Sequence, residues 1–283
     1  MDVDSLERIA CPFCGSNDDH QAATENGFRL ATCANCSFLF VNPRPPLQEI
    51  DESAQTGMHA TERGTLQVVG RFDRRKVRLY RERLVSLFGS DFFRNQCRSW
   101  LDIGTGYGEL LTAIGEIDGA DETRLAGIEP CEPKRDAATA RGLDVRSTPL
   151  DDLSEQFDVV SMINVFSHLP DPRSFLRSIT RLVAPGGSLV IVTGNGADLP
   201  ASELPRPLDL PDHLVFGGER HLVGFLNEEG YQVSKIDRYD EFMPESRIAL
   251  SAKNFIKAAL GRTQRSRTRG TNFRSLFIRA IRA

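Results

Sequence analysis

Three glycines at alternate positions, set between an apolar strand and the start of a helix, constrain this chain more than any other feature. Ser99-Trp-Leu-Asp-Ile103 is short, apolar and bounded, the pattern of a buried strand. Gly104-Thr-Gly-Tyr-Gly108 follows at once, and Glu109-Leu-Leu-Thr-Ala-Ile114 is suited to open a helix. A strand, a glycine turn and a helix form the first step of a nucleotide-binding βαβ unit. The glycines let the backbone approach a ligand closely, and the helix start offers unpaired N–H groups. Taken alone, the motif is not specific.

A second strand, Arg124-Leu-Ala-Gly-Ile128, runs into Glu129, whose carboxylate could accept both hydroxyls of a ribose. Dinucleotide sites share that acid but prefer G-x-G-x-x-G near the pyrophosphate. Here the spacing is shorter, and Asp102 precedes the first glycine, which suits an ammonium group better than a phosphate. Leu101-Asp-Ile-Gly-Thr-Gly-Tyr-Gly108 resembles the first motif of class I S-adenosylmethionine (SAM)-dependent methyltransferases. Phe157-Asp-Val-Val-Ser-Met-Ile163 is similar to their fourth strand, and His168-Leu-Pro-Asp-Pro172 to the opening of the next helix. Ala184-Pro-Gly-Gly-Ser-Leu-Val-Ile-Val192 resembles their proline-glycine turn before strand five.

The resemblance implies an α/β fold, a Rossmann-like class I methyltransferase sheet with helices on both faces. It implies SAM as cofactor, with Asp102, Gly104, Gly106 and Gly108 at its amino-acid portion and Glu129 at its ribose. Asp151 is expected near the adenine, where a solvated loop acid is the equally good alternative. Asn164, after strand four, completes the cofactor side. His221–Glu229 reads as a helix and Tyr231–Ile236 as strand six. A last, antiparallel strand is expected at Ser275–Ile281, which makes 241–270 an insertion; a C-terminal helix is the alternative.

Four of the six cysteines stand ahead of this unit, as Cys11-Pro-Phe-Cys14 and Cys33-Ala-Asn-Cys36. Two C-x-x-C knuckles at this spacing complete a tetrahedron around zinc. Disulfides fit poorly with an N-terminus, MDVDSLERIA, that does not look like an export signal, and no thioredoxin-like unit surrounds either pair. The expected site is closed, so its zinc is structural. Gly15 sits where a knuckle often needs positive φ. Cys97 and Cys131 stand alone and read as buried thiols. The expected organisation is a small zinc ribbon at 1–45, a linker and helical segment at 46–95, and the SAM-binding domain at 96–283. Within the middle segment a helical period runs from Arg71 to Phe88, while about Leu47 to Arg71 has no strong pattern.

For the acceptor side, His168 and His213 are the candidates, because both follow strands whose carboxyl ends frame the ligand site. Each could take a proton from a hydroxyl, or could merely order its loop. Asp212-His213 resembles an acid-histidine pair of sugar C-methyltransferases. Related enzymes carry acids at the positions of Asn164 and Ser167, and this chain has none there.

The ribbon with Asn42-Pro-Arg-Pro45 resembles a bacterial subgroup that modifies sugars, polysaccharides and natural products. This implies a small-molecule or glycan acceptor, a sugar-linked hydroxyl or carbon. An RNA methyltransferase and a non-catalytic SAM-binding module are the alternatives. Charge argues against nucleic acid: residues 1–246 hold 25 basic against 39 acidic side chains, −14. The ten basic residues from Arg247 onward could meet an anionic partner or simply be solvated. With no apolar run long enough to span a bilayer, the expected location is cytoplasmic.

Overall fold

A computed structural model describes residues 5–62, 64–68, 70–239 and 275–283. The expected insertion at 241–270, and most of the basic C-terminal segment, lie outside the described residues.

The ribbon region forms three antiparallel strands, β1 (Asp19–Glu25), β2 (Phe28–Cys33) and β3 (Leu39–Val41). The segment expected to lack a pattern is ordered: α1 (Leu47–Thr56) ends on Gly57 at φ 70°, and β4 (Met58–Thr61) pairs with β5 (Gly64–Gln67). Its side chains are mostly polar, so neither period emerges from hydrophobicity. The helix expected from Arg71 is α2 (Arg74–Phe88), with Asp73 accepting from the Arg75 N–H as its cap. A short α3 (Ser90–Asn95) follows.

Next come β6 (Ser99–Ile103), α4 (Glu109–Gly115), β7 (Arg124–Ile128), α5 (Glu132–Thr139), β8 (Val145–Arg146) and β9 (Phe157–Ile163). The helix after β9 starts later than expected: α6 (Pro172–Thr180) is capped by Asp171, with Pro172 in its first turn. Then follow β10 (Val183–Gly194), β11 (Val215–Phe216), α7 (Glu219–Glu228), β12 (Tyr231–Tyr239) and β13 (Ser275–Arg282).

Seven strands form one sheet in the order β12-β13-β10-β9-β6-β7-β8. β13 is antiparallel to both neighbours, as expected of the last strand, and β10, β9, β6, β7 and β8 pair in parallel. The period-two alternation of the strands sorts the core into two layers. Trp100, Val159, Val190 and Val192 pack against α2, α3 and α4. Leu101, Ile103, Val160, Met162, Leu189 and Ile191 pack towards α6 and α7. The sheet is thus covered on both faces, the Rossmann-like arrangement of a class I methyltransferase.

The ribbon region does not end at its own hairpins. β11, from the long loop after β10, joins β3 as the fourth strand of its sheet. Phe13 also packs edge-on against Phe225 of α7, with ring centroids 5.0 Å apart. The sequence pattern could not reveal this contact, because two residues of strand carry no period.

Candidate functional site

The glycine turn lies at the carboxyl end of β6, where open α/β sheets bind ligands. Gly104, Gly106 and Gly108 all have positive φ, at 70°, 58° and 88°. Their surroundings differ. A Cβ on Gly104 would lie 2.3 Å from Val165 Cγ2, and one on Gly108 would lie 2.2 Å from Leu143 Cδ1. Those two glycines let the turn pack on its neighbours. A Cβ on Gly106 would meet nothing within 4 Å, so this residue faces the open side.

Glu129 closes the turn from β7. One carboxylate oxygen accepts from the Gly106 N–H at 2.7 Å, and the other accepts from the Cys131 N–H at 2.9 Å. Each oxygen keeps a further lone pair for a ligand. The buried hydroxyl of Tyr107 has no hydrogen-bond partner among the described residues. Burial, with Cys131, Glu109 and Glu129 nearby, raises its pKa. An unpaired phenol, a glycine facing open space and a half-used carboxylate suit a polar ligand such as SAM.

The remaining cofactor-side expectations are placed differently. Asp102 is only 1% exposed and lies beneath the turn. Its Oδ1 accepts from Ser161 Oγ at 2.6 Å, and Ser161 Oγ accepts from Trp100 Nε1 at 2.8 Å. Burial pushes the Asp102 carboxyl up to about 7. Asp151 stands on a 3-10 turn, Leu150–Asp152, with its side chain 86% exposed and 3.2 Å from Arg181. Asn164 directly follows β9 in the left-handed region, at φ 58°, with its N–H donating to Val192 O at 2.7 Å.

His168 and His213 come together, their ring centroids 4.9 Å apart. His168 ends a 3-10 turn after β9, and His213 lies in the loop before β11. The Asp212 carboxylate Oδ1 lies 3.1 Å from His168 Nδ1 and 3.0 Å from His59 Nε2. His168 Nδ1 is also 2.9 Å from the Asp212 carbonyl oxygen, and His213 Nδ1 donates to Leu208 O at 2.9 Å. With both Nδ1 atoms held by oxygens, Nε2 is the nitrogen each ring has left to offer a ligand. His168, Asp212 and His213 offer ligand-type atoms within 4.8 Å of one another. Since Asp212 Oδ1 already serves two imidazoles, the cluster reads as hydrogen-bonded.

The two rings differ in basicity. Burial works against charge on His168, but the Asp212 hydrogen bond and charge outweigh it and raise its pKa. Burial and the neighbouring His168 lower His213 to about 4. Asp212 is held well below the usual carboxylate range: hydrogen bonds and charge from His168, with His59 adding, overcome its burial. His59 was not among the residues expected from sequence. Its segment lacked a pattern, and a lone histidine there carries no signal.

The four cysteines also converge. Cys11 Sγ lies 3.6 Å from Cys36 Sγ, Cys14 Sγ lies 3.5 Å from Cys33 Sγ, and all four sulfurs lie within 4.8 Å of one another. Thiolates at about 2.3 Å from one zinc would stand roughly 3.75 Å apart, so the set fits a tetrahedral ion. The knuckles match in backbone: Gly15 N–H donates to Cys11 O and Ser37 N–H to Cys33 O, both at 2.9 Å. Gly15 and Ser37 sit at φ 75° and 61°, so serine takes in the second knuckle the conformation glycine takes in the first. Cys97 and Cys131 are buried and free.

Comparison with known proteins agrees with this geometry. The family described as "Methyltransferase domain" matches residues 71–239. The ubiquinone biosynthesis O-methyltransferase of Bordetella avium (strain 197N) is 31% identical over 174 residues, covering 54% of this chain and 69% of that one. The enzyme of the same name from Marinobacter nauticus is 30% identical over 173 residues, covering 49% and 71%. A Galdieria sulphuraria structure described as a sarcosine dimethylglycine methyltransferase superposes with a TM-score of 0.53. It covers 74% of this chain and 86% of its own at 12% identity, a likeness of fold alone. Among the described residues, no helix is long and apolar enough to cross a membrane.

Proposed function

Because the chain belongs to the methyltransferase domain family and is a SAM-dependent methyltransferase, we propose that it methylates a hydroxyl of a small organic acceptor. His213 accepts the hydroxyl proton. The observation that carries this reading is the His168–Asp212–His213 cluster, on loops that follow β9 and β10 at the carboxyl edge of the sheet. SAM supplies a methyl group on a positively charged sulfur.

The protein's own residues have three tasks. Glu129 and the Gly106 turn hold the ribose side, while the buried Tyr107 hydroxyl, unpartnered among the described residues, stands ready to donate to a bound ligand. Asp212 raises the His168 pKa and so favours its charged form, which would stabilise the oxygen as it loses its proton. His213, kept neutral, presents Nε2 as the base. Environments that push two neighbouring titrating groups apart in pKa mark their separate roles. A carbon acceptor requires a strong base, whereas for oxygen a neutral imidazole only assists as the proton leaves, which favours oxygen. The name of those relatives, O-methyltransferase, points the same way. A sugar-linked hydroxyl and an aromatic one both meet the requirement.

We further infer that Cys11, Cys14, Cys33 and Cys36 hold one structural zinc, making 1–45 a zinc ribbon. The segment 46–95 links it to the SAM-binding domain at 96–283.

The test is transfer of labelled methyl from SAM to a panel of small phenols, sugars and amines. Transfer to hydroxyls is the expected result, and transfer confined to carbon or nitrogen would overturn the proposal. In the same preparation, Glu129→Ala should weaken SAM binding by at least about tenfold, because charge-assisted hydrogen bonds contribute about 1.5–3 kcal/mol each. Unchanged SAM affinity in calorimetry would remove Glu129 from the site.

A further inference from the structure

We propose that Glu25, at the tip of the β1–β2 hairpin, is a positioning residue that fixes the orientation of His213 through the backbone of Leu208 and Leu210. The inference rests on the role given to His213 above.

The hairpin turns on Asn26-Gly27, two left-handed residues at φ 54° and 86°, which suit a tight two-residue turn. That turn carries Glu25 and Asn26 from the cysteine-bearing module to the loop before β11. Glu25 Oε2 accepts from the Leu208 N–H at 2.9 Å, and Oε1 accepts from the Leu210 N–H at 3.3 Å. Asn26 Nδ2 donates to Leu210 O at 2.8 Å. Arg206 stands 3.8 Å from Glu25. Leu208 and Leu210 are fully buried, so their N–H groups have no water to replace the carboxylate.

Leu208 and its neighbour Asp209 set the imidazole. The carbonyl of Leu208 accepts from His213 Nδ1, and Asp209 O accepts from the His213 N–H at 3.1 Å. One side of Leu208 is therefore held by Glu25, and the other holds the ring. While Leu208 stays in place, the proton stays on Nδ1 and the lone pair on Nε2. Without Glu25, two buried N–H groups lose their acceptor and the loop must move to reach another. Asp209, strained at φ 59° between them, shows that the loop is held in a shape it would not choose alone.

The test uses the full-length, zinc-loaded protein with Glu25→Ala and Glu25→Gln. Nitrogen-15 NMR of the His213 ring should show the Nδ1–H tautomer in the wild type and a mixture in Glu25→Ala. The turnover number should fall about tenfold or more, with a smaller change in acceptor KM and with SAM affinity and zinc content kept. Glu25→Gln keeps one acceptor oxygen and should recover part of the loss. In a His213→Ala background, Glu25→Gln should lower turnover no further, which separates action through His213 from general loosening. An unchanged His213 tautomer in both Glu25 variants would overturn the proposal, as would equal turnover losses with and without His213. If His213→Ala itself leaves turnover intact, the base assignment falls, while the tautomer signal still decides whether Glu25 positions the ring.

Discussion

Replacing His213 by alanine is expected to lower turnover by a factor of about 10² to 10⁴, the usual contribution of a general base, while SAM affinity stays nearly unchanged. His213 sits in the loop before β11, and the SAM-side groups Glu129 and Gly106 come from β7 and β6, so its loss leaves their hydrogen bond intact. The pH dependence is the sharper measurement. His213 works in its neutral form, and its pKa is lowered to about 4. Activity in the acceptor-limited regime should therefore hold on acidification until the pH approaches about 4. Burial is the first cause of that depression, and the His168 charge is the second. His168→Ala removes the charge, so the acid limb should move upward towards the ordinary histidine value of about 6.5. Asp212→Asn should lower the His168 pKa and loosen both His168 and His59, which share that carboxylate. The decisive variant is the double, His168→Ala with His213→Ala. Full activity there would leave neither imidazole a catalytic role and would favour transfer driven by positioning alone.

The parts of the fold that were legible are those whose signal is local. β6, the glycine turn and α4 lie within seventeen consecutive residues, where apolar run, glycines and helix composition reinforce one another. β13 was legible because Ser275–Ile281 alternates and because the resemblance leaves one strand to be placed. The individual roles of the three glycines were not legible. Val165, Leu143 and open space distinguish them, and these belong to other elements. The acceptor cluster was half legible. His168 and His213 stand after recognisable strands, but their meeting depends on loop geometry. His59 arrives from a hairpin of mostly polar residues that no period announces. The turn at Asn26-Gly27 did carry a signal: Asn-Gly between two short runs is a strong hairpin mark. It identifies the hairpin without saying what the Glu25 carboxylate beside it will touch.

Removal of the zinc we infer at the four cysteines should have the second large effect, and one felt mainly on the acceptor side. Structural zinc held by such sites contributes about 10–16 kcal/mol of binding free energy in small peptides, and that binding is folding energy. Purified without chelator, the protein should carry about one zinc per chain, and Cys33→Ser should lose it. β1, β2 and β3 should then become exposed to hydrogen exchange. β11 should follow, because Phe216 pairs with Leu39, Val215 pairs with Phe40, and Leu214 O accepts from the Val41 N–H at 2.8 Å. The start of α7 is coupled as well, since His221 Nε2 donates to Cys36 O at 2.9 Å and Arg220 also donates to that oxygen. The SAM side is tied differently: Cys33, Phe38 and Phe40 share a core with Leu101, Ile103 and Ile128, but Glu129 is held locally, accepting from the Gly106 and Cys131 N–H groups. SAM affinity should therefore stay within about threefold, or roughly 0.65 kcal/mol, while turnover falls with the loss of order around His213. Exchange that speeds up in β1–β3 but not in β11 would make the ribbon an independent appendage. A metal-free protein with unchanged thermal stability would show that the four thiols hold no structural ion.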